Sequence, residues 1–462
     1  MSSSTQQWVS RELSALDLGD ERRNQRAMRM VELFVARPKG CIPPMCNIRA
    51  EIKAAYRFLS NPEINPGKII AALGQATAER IPEHQLVLVA QDTTELDFSS
   101  RPATEGLGPT GGGDGSAGHG MFVHSAIAIS EDGVPLGLLH QQVYSRDPDA
   151  VGVKHQRKER PIEDKESYRW LQTAAAVEAA VPDHITLLQV ADRESDIFEL
   201  FAQSRREGSH LLIRAAQDRR VEGPQRHLWE QAEAAPVTDK FELVVRERPG
   251  HNTRTAKLRL RFCTVKVQPP QRGKRAAASE PVTLNAVLVT EADPPKGAKR
   301  VHWLLLTTLP VANADDARRC VRNYQLRWII EQYHFTLKSG CGIEDSQLRS
   351  ADALRRLLAL MSVVALRLLW MMYAARVDGD QPCTVAFSDA EWQVLHRHFD
   401  PGPLPDRPPP LRQALRWTAS LGGFIGRKRD GEPGVKVLWR GLTRLQDIVI
   451  GFLLLTQNVG NA

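Results

Sequence analysis

The sequence predicts an α/β fold flanked by helical segments. Three patterns carry that expectation. Two short apolar runs, QLVLVAQ from residue 85 and ITLLQVA from residue 185, suit strands buried on both faces. Around them the patterns follow as strand, strand, strand, helix, strand, helix, strand, which is an α/β order. The first 70 residues and most of the chain beyond residue 315 show helical periodicity instead.

Residues 1–70 read as short helices with a break at Pro43-Pro44, and Arg22, Arg23, Arg26 and Arg29 follow Asp20 and Glu21. Such a segment can lie on a phosphate backbone, and it reads equally as a solvated helix face. Asn61-Pro62 and Asn65-Pro66 are turn signals that mark a boundary. The first buried strand is expected to end at Asp92. The stretch GLGPTGGGDGSAGHG that follows opens no helix and lacks the Lys-Ser/Thr of a phosphate loop, so it reads as a flexible linker.

Strands over 121–129 and 135–144 flank the turn Glu131-Asp132-Gly133, a hairpin signature. A charged loop, 146–167, leads into a helix over 168–180. The second buried strand ends at Asp192, followed by a helix over 196–206 and a strand over 210–215. Alternating runs at 241–246, 257–267 and 283–289, with a basic loop at 271–275, read as an inserted β subdomain spanning 217–300. A strand returns at 303–306, and one long helix is expected over 315–338. Helices over 351–375, 389–398, 410–420 and 438–455 complete the chain, with a Pro-rich linker at 401–410 and no solenoid-type repeat.

The chain has 462 residues, enough for roughly two to four domains, and its 42% hydrophobic and 25% charged content excludes wholesale disorder and fibrous repeats. With 61 Lys plus Arg against 54 Asp plus Glu, the net charge of +7 permits an acidic polymer partner without requiring one. The six cysteines are too few for a disulfide scaffold. Cys41 and Cys46 are the close pair, and without neighbouring Cys or His they are weak zinc ligands. The start MSSSTQQWVSREL lacks a secretory pattern, so a cytoplasmic protein is expected. The apolar stretch 357–372 is broken by Arg367 and reads as a buried helix rather than a membrane anchor.

Asp92 and Asp192 each stand at the end of a buried-strand candidate, where open α/β sheets place their ligands. Two carboxylates side by side repel, and a divalent cation offsets that cost, although an Asp after a strand also commonly caps the next turn. On the long helix Tyr324, Arg327, Glu331 and Lys338 stand at offsets 0, 3, 7 and 14, within about 60° of one face. The carboxylate suits a metal and the basic groups suit phosphate oxygens. Arg327 with Glu331 also reads as a plain i,i+4 ion pair. Three carboxylates and two basic residues together fit two-metal chemistry on a phosphodiester.

At these residues the sequence resembles a known family. QDTTELD around Asp92, ADRESDIFEL around Asp192 and NYQLRWIIEQYHFTLKSG, with Tyr324, Arg327, Glu331 and Lys338 spaced by two, three and six residues, resemble the bacterial insertion-sequence transposases of the DDE class that excise DNA through hairpin ends. AAYRFLSNPEI, WLLLTTLP and LGGFIGRKRDGEPGVKVLWRGLTRLQDIVIGF are similar to the same family, so the resemblance covers nearly the whole chain.

The resemblance implies an RNase H-like catalytic core with Asp92, Asp192 and Glu331 as catalytic ligands of two Mg²⁺ ions, with Mn²⁺ able to substitute. It implies that Tyr324, Arg327 and Lys338 hold phosphates of double-stranded DNA at the terminal inverted repeat. Trp303, 21 residues before Tyr324, would stack on a flipped base, an interaction worth about 1–3 kcal/mol; otherwise it is a core Trp. Arg214 and Arg193 are further candidates for binding phosphate, or for pairing with structural carboxylates. The implied organisation is a DNA-end-binding domain over 1–70, a catalytic domain over 71–372 and a C-terminal dimerisation region over 373–462 that joins two protomers. The rival readings are a metal-dependent nuclease without strand transfer, a non-cutting DNA-end regulator and a hydrolase of small phosphate esters.

Overall fold

The computed structural model describes residues 3–38, 42–46, 48–111, 118–148, 160–245, 254–270, 280–427 and 430–459. The chain forms two compact units, neither continuous in sequence: residues 83–92 with 152–328, and residues 1–82 with 93–151 and 329–462. Strands β1 (Leu86–Asp97), β2 (Gly108–Thr110), β3 (Gly118–Ser130) and β4 (Pro135–Tyr144) come first. They are followed by β5 (Thr186–Ala191), β6 (Ser209–Arg214), β7 (Val221–Glu222), β8 (Asp239–Val245), β9 (Arg254–Val267), β10 (Val282–Glu291) and β11 (His302–Thr307).

In the unit 83–92 with 152–328, residues 86–91 of β1 pair in parallel with β5, and β5 in parallel with β6. From there the sheet continues antiparallel through β11, β10 and β9, with β7 and β8 both on β9. The strands of segment 217–300 therefore build no sheet of their own but widen the main one through β11. The basic loop at 271–275 lies outside the described residues. Helices Tyr168–Ala180, Phe198–Ala202 and Leu228–Ala234 cover one face of this sheet. Their Trp170, Phe198, Phe201 and Leu228 bury against Ile213 and Leu304. The helix expected over 196–206 is only Phe198–Ala202. Two groups shorten it: the Asp196 side chain accepts bonds from the backbone of Ala216 and Gln217, and the Arg205 guanidinium caps the carbonyls of Leu200 and Phe201.

In the other unit, β3 pairs antiparallel with β2 and β4, and Gly133 takes a positive φ of 85° in the β3–β4 turn. The Gly-rich stretch expected to be a linker is thus partly strand, since Gly108 lies in β2 and Gly118 and Gly120 lie in β3; residues 112–117 lie outside the described residues. Side chains are excluded there by backbone: a Cβ on Gly108 or Gly120 would stand 2.0 Å from the carbonyl of Arg146 or Leu96.

Five helices precede residue 82: Ser3–Glu12, Glu21–Ala36, Ile42–Cys46, Arg49–Ser60 and Pro66–Ala78. Pro43-Pro44 does not break the segment as expected but sits in the first turn of Ile42–Cys46, where missing N–H groups cost nothing. Cys41 lies outside the described residues, so the Cys41–Cys46 pair is not described. Arg26 and Arg29 pair with Glu51, which commits part of the basic helix face to the fold.

Helix Ala351–Val377 runs through this unit, and 89% of its most apolar window is buried, as expected of a core helix. Its two buried arginines donate to backbone: Arg356 to the carbonyls of Ile64 and Leu59, and Arg367 to that of Ala386. Helices Asp389–Phe399, Leu411–Leu421 and Val435–Val459 follow.

Leu411–Leu421 and Val435–Val459 meet backbone to backbone. A Cβ on Gly441 would stand 1.7 Å from the Thr418 carbonyl oxygen, and one on Gly422 would stand 1.8 Å from that of Val437. Gly441→Ala should therefore force the helices apart at a cost of roughly 1–3 kcal/mol, read as a lowered melting temperature in calorimetry. An unchanged transition would contradict this close approach.

Candidate active site

Register builds the site. Leu88 lies opposite Leu188, Ala90 opposite Val190 and Gln91 opposite Ala191, so Asp92 and Asp192 are the next positions on neighbouring parallel strands. Such strands run about 5 Å apart, and alternate residues share a face. Val190 is opposite Leu212, so Arg214 projects from that same face two residues along β6. Arg214 is opposite Leu305, and Trp303 stands two residues from Leu305 on β11. Beyond Gln91 the strand does not end, as the sequence suggested, but continues to Asp97. Asp92 is the first residue past the pairing with β5 rather than the last of its strand.

Helix Ala314–Leu326 brings Tyr324 to this face. Its N-terminus is capped by the Asn313 side chain, which accepts from Asp316 N–H, and Asp315 and Asp316 in the first turn suit the helix dipole. Tyr324 is buried, with its ring edge-on to Trp303 at 5.7 Å between centroids. Arg214 lies 5.9 Å from the Trp303 ring and Arg327 5.8 Å from the Tyr324 ring, both in cation–π geometry. Arg327 Nη1 is 3.7 Å from Asp92 Oδ2, and both side chains are largely buried. Asp192 accepts from Glu194 N–H at 2.9 Å, capping the turn Arg193–Ser195.

Burial pushes the Tyr324 phenol above its ordinary value; the positive charges of Arg327 and Arg214 oppose that shift and the Asp192 carboxylate adds to it. The phenol therefore stays protonated and able to donate. Burial lowers the Arg214 pKa, with Tyr324 opposing and Arg193 adding to the shift. The unit thus gathers Asp92, Asp192, Arg193, Arg214, Trp303, Tyr324 and Arg327. Glu331 and Lys338 belong to the other unit.

The single helix expected over 315–338 is interrupted. Ala314–Leu326 ends at Arg327, whose N–H reaches back to the Tyr324 carbonyl, and Trp328–Phe335 follows. A π-helical turn, Thr336–Gly340, comes next. The Thr336 hydroxyl takes the Gln332 carbonyl, and Cys341 N–H bonds five residues back to Thr336. Gly340 lies where a Cβ would stand 2.8 Å from the Trp439 ring. The π turn changes the regular 100° spacing on which Lys338 is projected onto the face of Tyr324, Arg327 and Glu331. Lys338 Nζ donates to the Glu95 carbonyl at 2.8 Å and pairs with Glu344 at 3.2 Å. Glu344 gave no sequence signal; it also accepts from Asp97 N–H.

A hard divalent cation requires oxygen ligands, which Asp92 and Asp192 supply. Among the described residues no three Asp, Glu, His or Cys side chains gather closely enough to hold a metal ion. The two aspartates can supply part of a ligand set, not a complete one. Asp196 does not extend it: its side chain is fully buried and held by Arg219 at 2.6 Å.

Paired acids one residue past the pairing of adjacent parallel strands, beside a cationic and aromatic cluster, suit an enzyme acting on the phosphates of nucleic acid. Three family matches follow one another along the chain: transposase DNA-binding at residues 5–64, transposase DDE domain at 171–367 and transposase Tn5 dimerisation domain at 363–454. The chain belongs to the DDE transposases of the Tn5 type. It is a nucleic-acid-cleaving enzyme with an RNase H-like core and a divalent-metal requirement, and it binds DNA and forms a homodimer. Asp192, Arg193, Arg214, Trp303, Tyr324, Arg327, Glu331 and Lys338 fall within the DDE match, and Asp92 precedes it.

Because Asp196 holds Arg219 and two backbone N–H groups, Asp196→Ala should destabilise the protein by about 3–5 kcal/mol through the buried, unpaired guanidinium. Thermal unfolding indistinguishable from the parent would show that this clamp has no role.

Proposed function

We propose that this transposase cuts the ends of its insertion sequence, closes them as hairpins and joins the released ends to target DNA. Asp92, Asp192 and Glu331 act as the catalytic carboxylates and hold two Mg²⁺ ions, with Mn²⁺ able to substitute. When bound, such ions lower the pKa of water and neutralise charge developing on the phosphate. Tyr324, Arg327 and Lys338 hold the phosphates at the terminal inverted repeat. Trp303 receives a base turned out of the helix, and Arg214 and Arg193 steady the neighbouring backbone.

The reaction consists of four displacements at phosphorus. Water cleaves one strand at the element end and leaves a 3′-OH. That hydroxyl attacks the opposite strand, forming the hairpin and releasing flanking DNA. Water reopens the hairpin, and the regenerated 3′-OH attacks target DNA. Each step exchanges one P–O bond for another and needs no redox partner.

The adjacent register of Asp92 and Asp192, on the face that also bears Arg214 and Trp303, is the observation that supports this reading most. We assign end recognition to residues 1–70, catalysis to 71–372 with the β segment 217–300 as an insertion, and protomer pairing to 373–462. The assembly cutting DNA is a homodimer, working on chromosomal DNA in the cytoplasm.

Asp92→Ala, Asp192→Ala and Glu331→Ala should each abolish cleavage of a duplex carrying the element ends in Mg²⁺, while gel shifts of that duplex persist. EDTA should stop cleavage by the parent. Nicking retained by all three variants would overturn the assignment. Cleavage without joining of 3′-OH ends to a second duplex would reduce the enzyme to a nuclease.

A further inference from the structure

The outer strands of the unit 83–92 with 152–328 carry a row of residues in register. Lys240 on β8 is directly opposite Arg259 on β9, Arg259 is opposite Thr290 on β10, and Thr290 is opposite His302 on β11. Directly opposed residues share a face. Trp303, the neighbour of His302, projects from the other face with Tyr324. The row is therefore on the reverse of the sheet from the face that bears Asp92, Asp192 and Trp303.

Along β9 the row broadens. Lys257, Arg259 and Arg261 alternate on this reverse face, and Lys240, Lys257 and Arg259 are exposed. Among the described pairings the acid opposite this group is Glu242, which faces Lys257. Two cations placed directly opposite each other destabilise a sheet, and neither Lys240 nor Arg259 contributes to a core that would offset this. Arg261 is tied down by Thr290, to whose hydroxyl it donates at 3.3 Å. At its inner end the row meets His302, which is stacked on Trp229 with 5.1 Å between ring centroids. Helices cover this face farther in, at Ile213 and Leu304, so its solvent-facing part is the outer cluster of Lys240, Lys257 and Arg259, whose charge complements a polyanion laid across it.

We propose that this reverse face is a second DNA-binding surface, holding the backbone of a sequence-independent duplex apart from the strand cleaved at the aspartates. Recognition is by phosphate charge, since the row offers point charges and guanidiniums rather than a helix or ribbon shaped for a groove. The inference rests on DNA binding by the family, not on the hairpin route.

The test uses the full chain and a labelled duplex of ~40 base pairs, unrelated to the element ends, titrated by fluorescence polarisation at several salt concentrations. The triple variant Lys240→Gln, Lys257→Gln, Arg259→Gln should bind roughly tenfold more weakly at 0.15 M salt. Its log K against log salt should be flatter by about 2–3, close to 0.9 for each phosphate no longer neutralised by the protein. Glu242→Gln should bind more tightly than the parent. Unchanged affinity and slope in the triple variant would overturn the proposal. Lys240→Gln alone relieves the opposed charges and should melt at or above the parent temperature. A clear fall would show that the cations serve the fold instead, and would overturn it equally. Because cleavage is read separately on the Asp92, Asp192 and Glu331 variants, failure here leaves that assignment standing.

Discussion

The parallel pairing of β1 with β5 is the constraint on which the site depends. Asp92 and Asp192 are a hundred residues apart in the chain, and hydrogen bonding between Leu86–Gln91 and Thr186–Ala191 makes them neighbours. A slip of one residue would turn every side chain of β1 to the opposite face and move Asp92 away from the site. Close packing guards against that slip, because Val87 to Ala90 and Leu187 to Ala191 are all buried and a shifted strand would have to refit side chains of different size on both faces. A buried amide pair adds to the selection: Gln91 donates to Gln189 at 2.7 Å, and Gln189 donates to the Ala174 carbonyl of the covering helix. Unpaired, each buried amide would cost about 1–3 kcal/mol, so the wrong register is penalised by polarity as well as by packing.

Around the two acids the protein sets cations and aromatic rings rather than more acids. Arg327 approaches Asp92, while Arg214 and Arg327 flank a phenol that burial keeps neutral. This balance offsets the repulsion between adjacent carboxylates and leaves a surface that attracts phosphate. Two acids of one short motif also part company. In ADRESD, Asp192 keeps its side chain at the site, whereas Asp196 is sealed under Arg219 and organises the turn after β6.

The other unit is built around an apolar helix that would satisfy a membrane by length and composition, yet it is largely enclosed by protein, and its buried Arg356 and Arg367 donate to backbone carbonyls. The dimerisation match ends on helix Val435–Val459, where Ile448, Ile450, Leu453, Leu454 and Leu455 remain exposed, with Leu455 at 70%. Apolar side chains grouped this way on one helix are what an interface between protomers leaves uncovered in a single chain.

Much was legible in the sequence because strand and helix periods are local properties. The buried runs before Asp92 and Asp192, the hairpin at Gly133, the helix Tyr168–Ala180 and the apolar helix around Arg367 were all readable from residue type and spacing. Spaced motifs also identified the family, since they recur in one order along nearly the whole chain. What the chain could not announce was anything governed by a distant partner. The widened turn at Thr336–Gly340 forms with a competing hydroxyl at Thr336 and with Trp439, about a hundred residues away, lying against Gly340. The strand continuing through Asp92 and the helix stopping at Ala202 depend likewise on interactions formed only once the chain has folded. Sequence determined which residues are chemically suited to metal and phosphate and which face of each strand they occupy, because period and residue type are local; tertiary packing decided where the regular helix gives way to a π turn, because that depends on a partner distant in the chain.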